Sequence, residues 1–195
     1  FRRFEQEQGL PQDLIRTINS TNPDTNAWAQ LESSQISVEE FDELFANEAG
    51  ALGHDIRGAD VLKLLSGDIR PIMVRALQRI KVQYKIGCLT NNVRNAGEGP
   101  GMARDAAKAA QVEEVMDLFD AVVESSKVGV RKPNPAFYRM ACEALEIQPH
   151  EAVFLDDLGI NLKPAKTMGM KTIKVLSAEQ ALSELEQHLD MALLD

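Results

Sequence analysis

The pattern of apolar and polar positions divides the chain into two parts. Up to about residue 82, apolar positions recur at helical spacing and no convincing strand is found. Residues 37–40 (SVEE) form a capping box, and Pro71 suits the first turn of another helix. From about residue 85, short apolar runs alternate with helical stretches. The predicted strands cover 86–89, 121–123, 152–155 and 172–176, and the helices among and after them cover 102–117, 134–146, 159–168 and 177–189.

These two sequence patterns predict an α/β core and a helical unit. We expect residues 83–195 to form a three-layer, Rossmann-like parallel sheet with helices on both faces. Residues 1–82 are expected to form a small all-helical cap with its connecting helices. Within the cap, Phe41, Leu44 and Phe45 are interpreted as core residues rather than substrate contacts. The glycine-rich stretch 97–101 does not directly follow a strand and is predicted to be a loop.

Composition narrows the classes of function. The 195 residues include 30 Asp and Glu against 21 Lys and Arg, which gives a formal net charge of −9. That balance argues against a nucleic-acid partner, and no apolar run is long enough to predict a membrane span. Cys88 and Cys142 lie in apolar segments and are expected to be reduced core thiols, as is typical of a cytoplasmic protein. Oligomeric state is left open.

Polar side chains follow three of the four predicted strands. They are, in chain order, Thr90, Asn91, Lys132, Asp156, Asp157 and Asn161. Because the carboxyl ends of parallel strands meet at one edge of a sheet, we expect these side chains to lie together. Adjacent carboxylates repel unless a cation neutralises them, and their oxygens suit Mg²⁺. A hydroxyl, backbone amides and a lysine suit a phosphoryl group, so the set predicts Mg²⁺-dependent phosphoryl transfer on a small phosphorylated substrate.

Each of these residues also has an ordinary structural explanation when it is taken singly. An Asp pair after a strand can cap a helix, Thr90 and Asn91 can form a turn, and Lys132 can be a surface charge. The conjunction at successive strand ends favours a functional site over these separate explanations.

The same segments resemble the motifs of the haloacid dehalogenase superfamily of hydrolases. Residues 88–92 (CLTNN) are similar to its second motif, 128–135 (VGVRKPNP) to its third, and 153–157 (VFLDD) to its fourth. Residues 154–166 especially resemble the amino-terminal phosphatase domain of soluble epoxide hydrolase. The resemblance covers about residues 85–176 and implies a hydrolase with an α/β core, with the helical part as a cap that closes over the site.

The resemblance also implies a role for each candidate residue. Asp157 would ligate Mg²⁺, Asp156 would help to hold the metal site, and Asn161 would support the metal-binding loop. The roles implied for the remaining residues concern the phosphoryl group. The phosphoryl oxygens would bind to Thr90 and the Asn91 amide. Lys132 would orient the nucleophile and offset the negative charge of the phosphoryl group.

The superfamily's first motif is absent from these 195 residues. That motif is an apolar strand that ends in Asp-x-Asp, whose first Asp attacks phosphorus. Glu5, Glu7, Asp13 and Asp24 precede or lie within the helical part, but none of them follows an apolar strand, so no nucleophile is assigned. In the superfamily this strand lies in the middle of the sheet. We therefore expect it upstream of Phe1 in the natural protein, and a genuine deletion is the alternative.

Three functions stay open at this point. The leading hypothesis is a Mg²⁺-dependent phosphatase that acts through an aspartyl-phosphate. A haloacid dehalogenase-type hydrolase is the second, although it has no use for Asp157 beside its nucleophile. The third is a catalytically inactive binding or regulatory domain, which the missing first motif supports.

Overall fold

The α/β class predicted from the sequence is confirmed by the structure, a computed structural model that describes residues 1–65, 68–93 and 106–194. Its helices are α1 (Arg2–Glu7), α2 (Leu14–Ser20), α3 (Ala27–Glu32), α4 (Val38–Ala51), α5 (Gly58–Lys63), α6 (Pro71–Ile80), α7 (Ala106–Met116), α8 (Ser125–Val128), α9 (Pro135–Leu145), α10 (Gly159–Thr167) and α11 (Ala178–Leu189). Its strands are β1 (Gly87–Thr90), β2 (Ala121–Glu124), β3 (Val153–Asp156) and β4 (Lys171–Lys174). No helix in these ranges is both long and apolar enough to cross a bilayer.

The four strands form two separate parallel pairs. β1 pairs with β2 in a register that runs from Gly87 opposite Ala121 to Thr90 opposite Glu124. β3 pairs with β4, with Asp156 opposite Lys174 at the carboxyl end. Within the described residues, neither β1 nor β3 has a strand partner on its other edge. The predicted single sheet is therefore divided into two pairs, β1 with β2 and β3 with β4.

A cavity of about 540 Å³ lies between the two strand pairs. β1 contributes Cys88 and Leu89 to its wall, and β3 contributes Val153 and Leu155. Side chains of α6, α9 and α11 complete the lining, which is largely apolar. Burial raises the pKa of the Cys88 thiol above its ordinary value, consistent with this apolar setting. A largely apolar space thus separates β1 from β3.

Three apolar clusters hold the described residues together. Phe41, Phe45 and other side chains from α2 to α5 form the core of the helical part. A second cluster joins α6 and α11 to β4, and a third joins α9 and α10 to β2. Since α6 packs with α11, it lies against the α/β part although it precedes residue 82. The division of the chain at residues 82 and 83 stays a prediction.

Most helices lie where the caps and the helical spacing in the sequence predict them. The capping box predicted at residues 37–40 is present at the start of α4, and a second one starts α11. The interpretation of Leu44 as a core residue is wrong, because its side chain is 37% exposed. The buried stripe of α4 runs through Phe41, Phe45 and Ala49 at a spacing of four residues, and Leu44 lies beside it. The predicted loop at 97–101 lies outside the described residues.

The first two helices were not located by the sequence pattern. Their junction depends on Glu5, whose side chain is only 1% exposed. Its carboxylate accepts hydrogen bonds from the backbone amides of Asp13 and Ile15, each at 2.9 Å. These are amides at the start of α2, where an intrahelical acceptor is missing. A side chain from the preceding helix thus caps α2, which no local motif signals.

Two glycines of the helical part should respond in opposite ways to alanine. A Cβ at Gly58 would lie 2.8 Å from the Phe41 ring and 2.9 Å from the Cα of Asp42, whereas a Cβ at Gly50 would meet nothing within 4 Å. We expect Gly58→Ala to lower the free energy of unfolding by about 1–3 kcal/mol through overpacking. Gly50→Ala, inside α4, should raise it by about 0.5–1 kcal/mol. Urea unfolding of both variants checks this, and equal effects would contradict it.

Candidate active site

Residues from three strand ends meet at one edge of the structure. The Lys132 ammonium Nζ lies 2.8 Å from Asp156 Oδ2, and the two side chains are only 11% and 5% exposed. Asn91, just after β1, holds the Lys132 backbone from both sides. Its Oδ1 accepts from the Lys132 amide at 2.9 Å, and its Nδ2 donates to the Lys132 carbonyl at 3.1 Å. The sequence-predicted neighbours of β1, β2 and β3 are thus brought together.

Asp156 is the most highly coordinated group of this cluster. It is the last residue of β3 and is buried. Besides the Lys132 ammonium, its carboxylate accepts from the Leu158 amide at 2.8 Å and from Asn161 Nδ2 at 3.0 and 3.2 Å. A buried carboxylate is tolerable only when donors and an opposite charge surround it. Asp156 therefore organises the loop that follows β3.

Asp157 differs sharply from its neighbour. It is exposed, and its carboxylate accepts no hydrogen bond from any residue that the structure describes. No cluster of three or more His, Cys, Asp or Glu side chains able to hold a metal occurs in the described ranges. A pair of carboxylates does fit Mg²⁺, which commonly takes one or two protein carboxylates and completes its shell with water and phosphate oxygens. Asp157 is the open carboxylate of the pair.

The segment after β1 is joined to the end of β2. Asn92 Nδ2 donates to Glu124 at 2.9 Å, and Asn92 Oδ1 accepts from the Ser126 hydroxyl at 2.9 Å. Ser125 Oγ accepts from the Asn92 amide at 3.0 Å. The half-buried Thr90 ends β1 beside this network, and its hydroxyl makes no hydrogen bond within the described residues. That hydroxyl and the neighbouring amides can donate to an anion.

Two aromatic side chains, Tyr138 and Phe154, lie next to the residues of the site. The Tyr138 hydroxyl donates to the Asn161 carbonyl at 2.6 Å, and the Tyr138 ring packs edge-on against Phe154 at 5.3 Å. Burial raises the pKa of Tyr138, and the Asp156 charge adds to that effect, so the hydroxyl stays a donor. Lys132 Nζ lies 5.8 Å from the Phe154 ring centre. The sequence predicted Asn161 here, whereas Tyr138 was not identified as a site residue from the sequence.

One site residue comes from the helical part and was missed by the sequence. Glu32, at the end of α3, is 8% exposed. Its carboxylate accepts from Trp28 Nε1 at 2.9 Å and from Asn91 Nδ2 at 3.2 Å. Arg131 Nε lies 2.9 Å from the same Oε2, in an ion pair whose N–H direction is poor for a hydrogen bond. The i, i+4 spacing of Trp28 and Glu32 is visible in the sequence, but the contact with the α/β part is not.

Comparisons with known proteins identify the family of the chain. A family model described as haloacid dehalogenase-like hydrolase matches residues 6–169. The chain is 32% identical over 198 residues to bifunctional epoxide hydrolase 2 of Mus musculus, an alignment that covers 96% of this chain and 35% of that protein. It is 25% identical over 177 residues to a sesquiterpene phosphatase of Aspergillus oryzae, with 90% of this chain and 83% of that protein covered. The chain thus spans about a third of the length of epoxide hydrolase 2.

A solved structure shows the same fold. It is a haloacid dehalogenase family enzyme of Bacteroides thetaiotaomicron, in complex with magnesium and inorganic phosphate. The TM-score is 0.57 at 20% identity, over 89% of this chain and 88% of that one. The family match over most of the chain, the relatives and the shared fold lead to one conclusion: this chain belongs to the haloacid dehalogenase-like hydrolases.

Proposed function

We propose that these residues form the body of a Mg²⁺-dependent phosphatase that acts on a small phosphorylated metabolite. The observation that carries the proposal is the pairing of Lys132 with a buried Asp156, beside the exposed Asp157. A buried cation and an open carboxylate, side by side at strand ends, suit a group that carries several negative charges. Phosphoryl transfer requires mainly such positioning and charge stabilisation.

The site residues divide this work among them. The Thr90 hydroxyl and the Asn91 amide would hold the phosphoryl oxygens, and Lys132 would offset the charge that develops on them. Asp157, with help from Asp156, would hold Mg²⁺. The metal, when bound, would neutralise phosphate charge and orient the substrate as a Lewis acid.

The nucleophile would come from a strand that the 195 residues do not contain. The cavity between β1 and β3 supports this part of the proposal, because it is largely apolar and the residues at the carboxyl ends of both strands meet at Lys132. A strand parallel to both would pair with their second edges, and its carboxyl end would reach Lys132 and Asp156. The first Asp of an Asp-x-Asp motif at that end would attack phosphorus and displace the ester oxygen, which would take a proton from the second Asp. The second Asp would then take a proton from the water that hydrolyses the aspartyl-phosphate.

A catalytically inactive phosphate-binding domain is the second candidate. The observation that favours it is the absence of any Asp-x-Asp motif after an apolar strand in these residues. In that case the residues around Lys132 would bind Mg²⁺ and phosphate without hydrolysis.

Phosphatase activity of the full natural protein tests the two candidates. We expect hydrolysis of phosphate monoesters from a panel of small metabolites, loss of that activity with a chelator, and recovery with added Mg²⁺. Absence of hydrolysis across the panel, together with calorimetric binding of inorganic phosphate and Mg²⁺, would favour the inactive domain instead. Release of halide from a 2-haloacid without metal would favour the dehalogenase chemistry.

A further inference from the structure

We propose that Glu32 is a positioning residue of the site, through which docking of the helical part sets the backbone position of Lys132. The inference rests on the proposed function of Lys132 and concerns how that site is assembled. Glu32 belongs to α3, yet its carboxylate lies among residues of the α/β part. It contacts Asn91, which hydrogen-bonds to the Lys132 backbone, and Arg131, which precedes Lys132 in the chain.

The contacts form one continuous chain from the helical part to the candidate metal site. Trp28 Nε1 fixes one oxygen of Glu32, and the other oxygen faces Asn91 and Arg131. The Asn91 side chain then hydrogen-bonds to both the backbone amide and the backbone carbonyl of Lys132. The Lys132 ammonium in turn meets Asp156.

The ion pair between Glu32 and Arg131 is largely buried, unlike an ion pair on the surface. The side chains of Glu32 and Arg131 are 10% and 20% exposed. Burial raises the pKa of Glu32, whereas the charges of Arg131 and Lys132 and the hydrogen bonds from Trp28 and Asn91 oppose that shift. Removing one oxygen acceptor would leave buried donors unsatisfied, which is costly in a desolvated place. The Asn91 amide would then lose the contact that orients it toward Lys132.

Arg131 adds a second tie to the helical part. Its Nη1 donates to the Pro23 carbonyl at 2.9 Å, while Nε faces Glu32. The residue that precedes Lys132 is thus held between two segments of the helical part. A shift of α3 away from the α/β part would release Arg131 and Asn91 together.

A matched control separates positioning from simple docking. Ser34 also joins the two parts, because its hydroxyl donates to the Ser126 carbonyl at 2.9 Å, but within the described residues no side-chain hydrogen bond links it to Asn91, Arg131 or Lys132. Ser34→Gly removes this hydroxyl at a backbone φ of 55°, which glycine adopts at no steric cost. Glu32→Gln keeps the size of the side chain but has a single oxygen acceptor. If both residues only dock the helical part, the two variants should behave alike.

Hydrogen exchange of the Lys132 amide, measured by NMR on the full natural protein, is the test. We expect exchange to be about tenfold faster in Glu32→Gln than in wild type, and close to wild type in Ser34→Gly. Turnover on a phosphate ester should fall about tenfold in Glu32→Gln, with KM little changed, because Lys132 is displaced while phosphate contacts remain. If Glu32→Gln does not fold, Arg131→Lys is measured with the same expectation.

Equal Lys132 exchange in the two variants would overturn the positioning role. The exchange measurement needs no catalysis, so it also separates the two proposals. Faster exchange in Glu32→Gln without any hydrolysis by wild type would leave the positioning role intact and remove the proposed phosphatase function.

Discussion

Replacement of Lys132 by alanine should lower turnover by about 10²–10³-fold, the usual effect of removing one group that stabilises developing charge. The same change should lower the free energy of unfolding by about 3–5 kcal/mol, since it leaves Asp156 as a buried carboxylate without its cation. Asp156 is 7% exposed and retains only neutral donors in that variant. Kinetics well below the melting temperature, with denaturant unfolding in parallel, measure both effects.

A double variant separates the two consequences. Lys132→Ala with Asp156→Asn removes the unpaired charge, so stability should return in large part while turnover stays low. Lys166→Ala is the control for loss of a lysine, because Lys166 is exposed near the end of α10. A double variant that recovers activity together with stability would show that Lys132 acts only through the fold.

Replacement of Asp157 by alanine should abolish Mg²⁺-dependent hydrolysis and leave the fold intact. The side chain is exposed and no described residue depends on it, so the change in unfolding free energy should stay within about 0.5 kcal/mol. Calorimetric titration with Mg²⁺ should show that binding is lost, because the variant keeps only the carboxylate that is committed to Lys132 and Asn161.

The neighbouring carboxylate provides the contrast for this experiment. Asp156→Ala should mainly destabilise the protein, since it removes the acceptor of three separate donors. Asp117→Ala, at an exposed position after α7, is the control for loss of an acidic side chain. Unchanged Mg²⁺ binding and hydrolysis in Asp157→Ala would mean that the metal assignment is wrong.

The sequence could predict what local pattern and strand order determine. The four strands and most helices carry periodicity, caps and boundaries within a few neighbouring residues, and the carboxyl ends of parallel strands meet by geometry alone. Thr90, Lys132 and Asp156 could therefore be grouped before their distances were known. The difference between Asp156 and Asp157 could not, because it depends on which carboxylate turns toward Lys132 and Asn161.

Contacts between the helical part and the α/β part could not be predicted from the pattern of apolar and polar positions. Glu32 reaches Asn91 across 59 residues of sequence, and Ser34 reaches Ser126 across 92. A glutamate at the end of a short helix ordinarily faces solvent. Its burial here follows from how α3 packs against α8, which one sequence without a structure does not reveal.

The gap between β1 and β3 leaves the two strand pairs of the described α/β part without a shared hydrogen-bond ladder. In the described residues no ladder hydrogen bond joins one strand pair to the other, so local opening of either pair breaks none in its neighbour. Side chains around the cavity cross this seam, and at the carboxyl end so does the ion pair of Lys132 and Asp156. The ion pair at the centre of the candidate active site therefore also joins the two strand pairs across the gap.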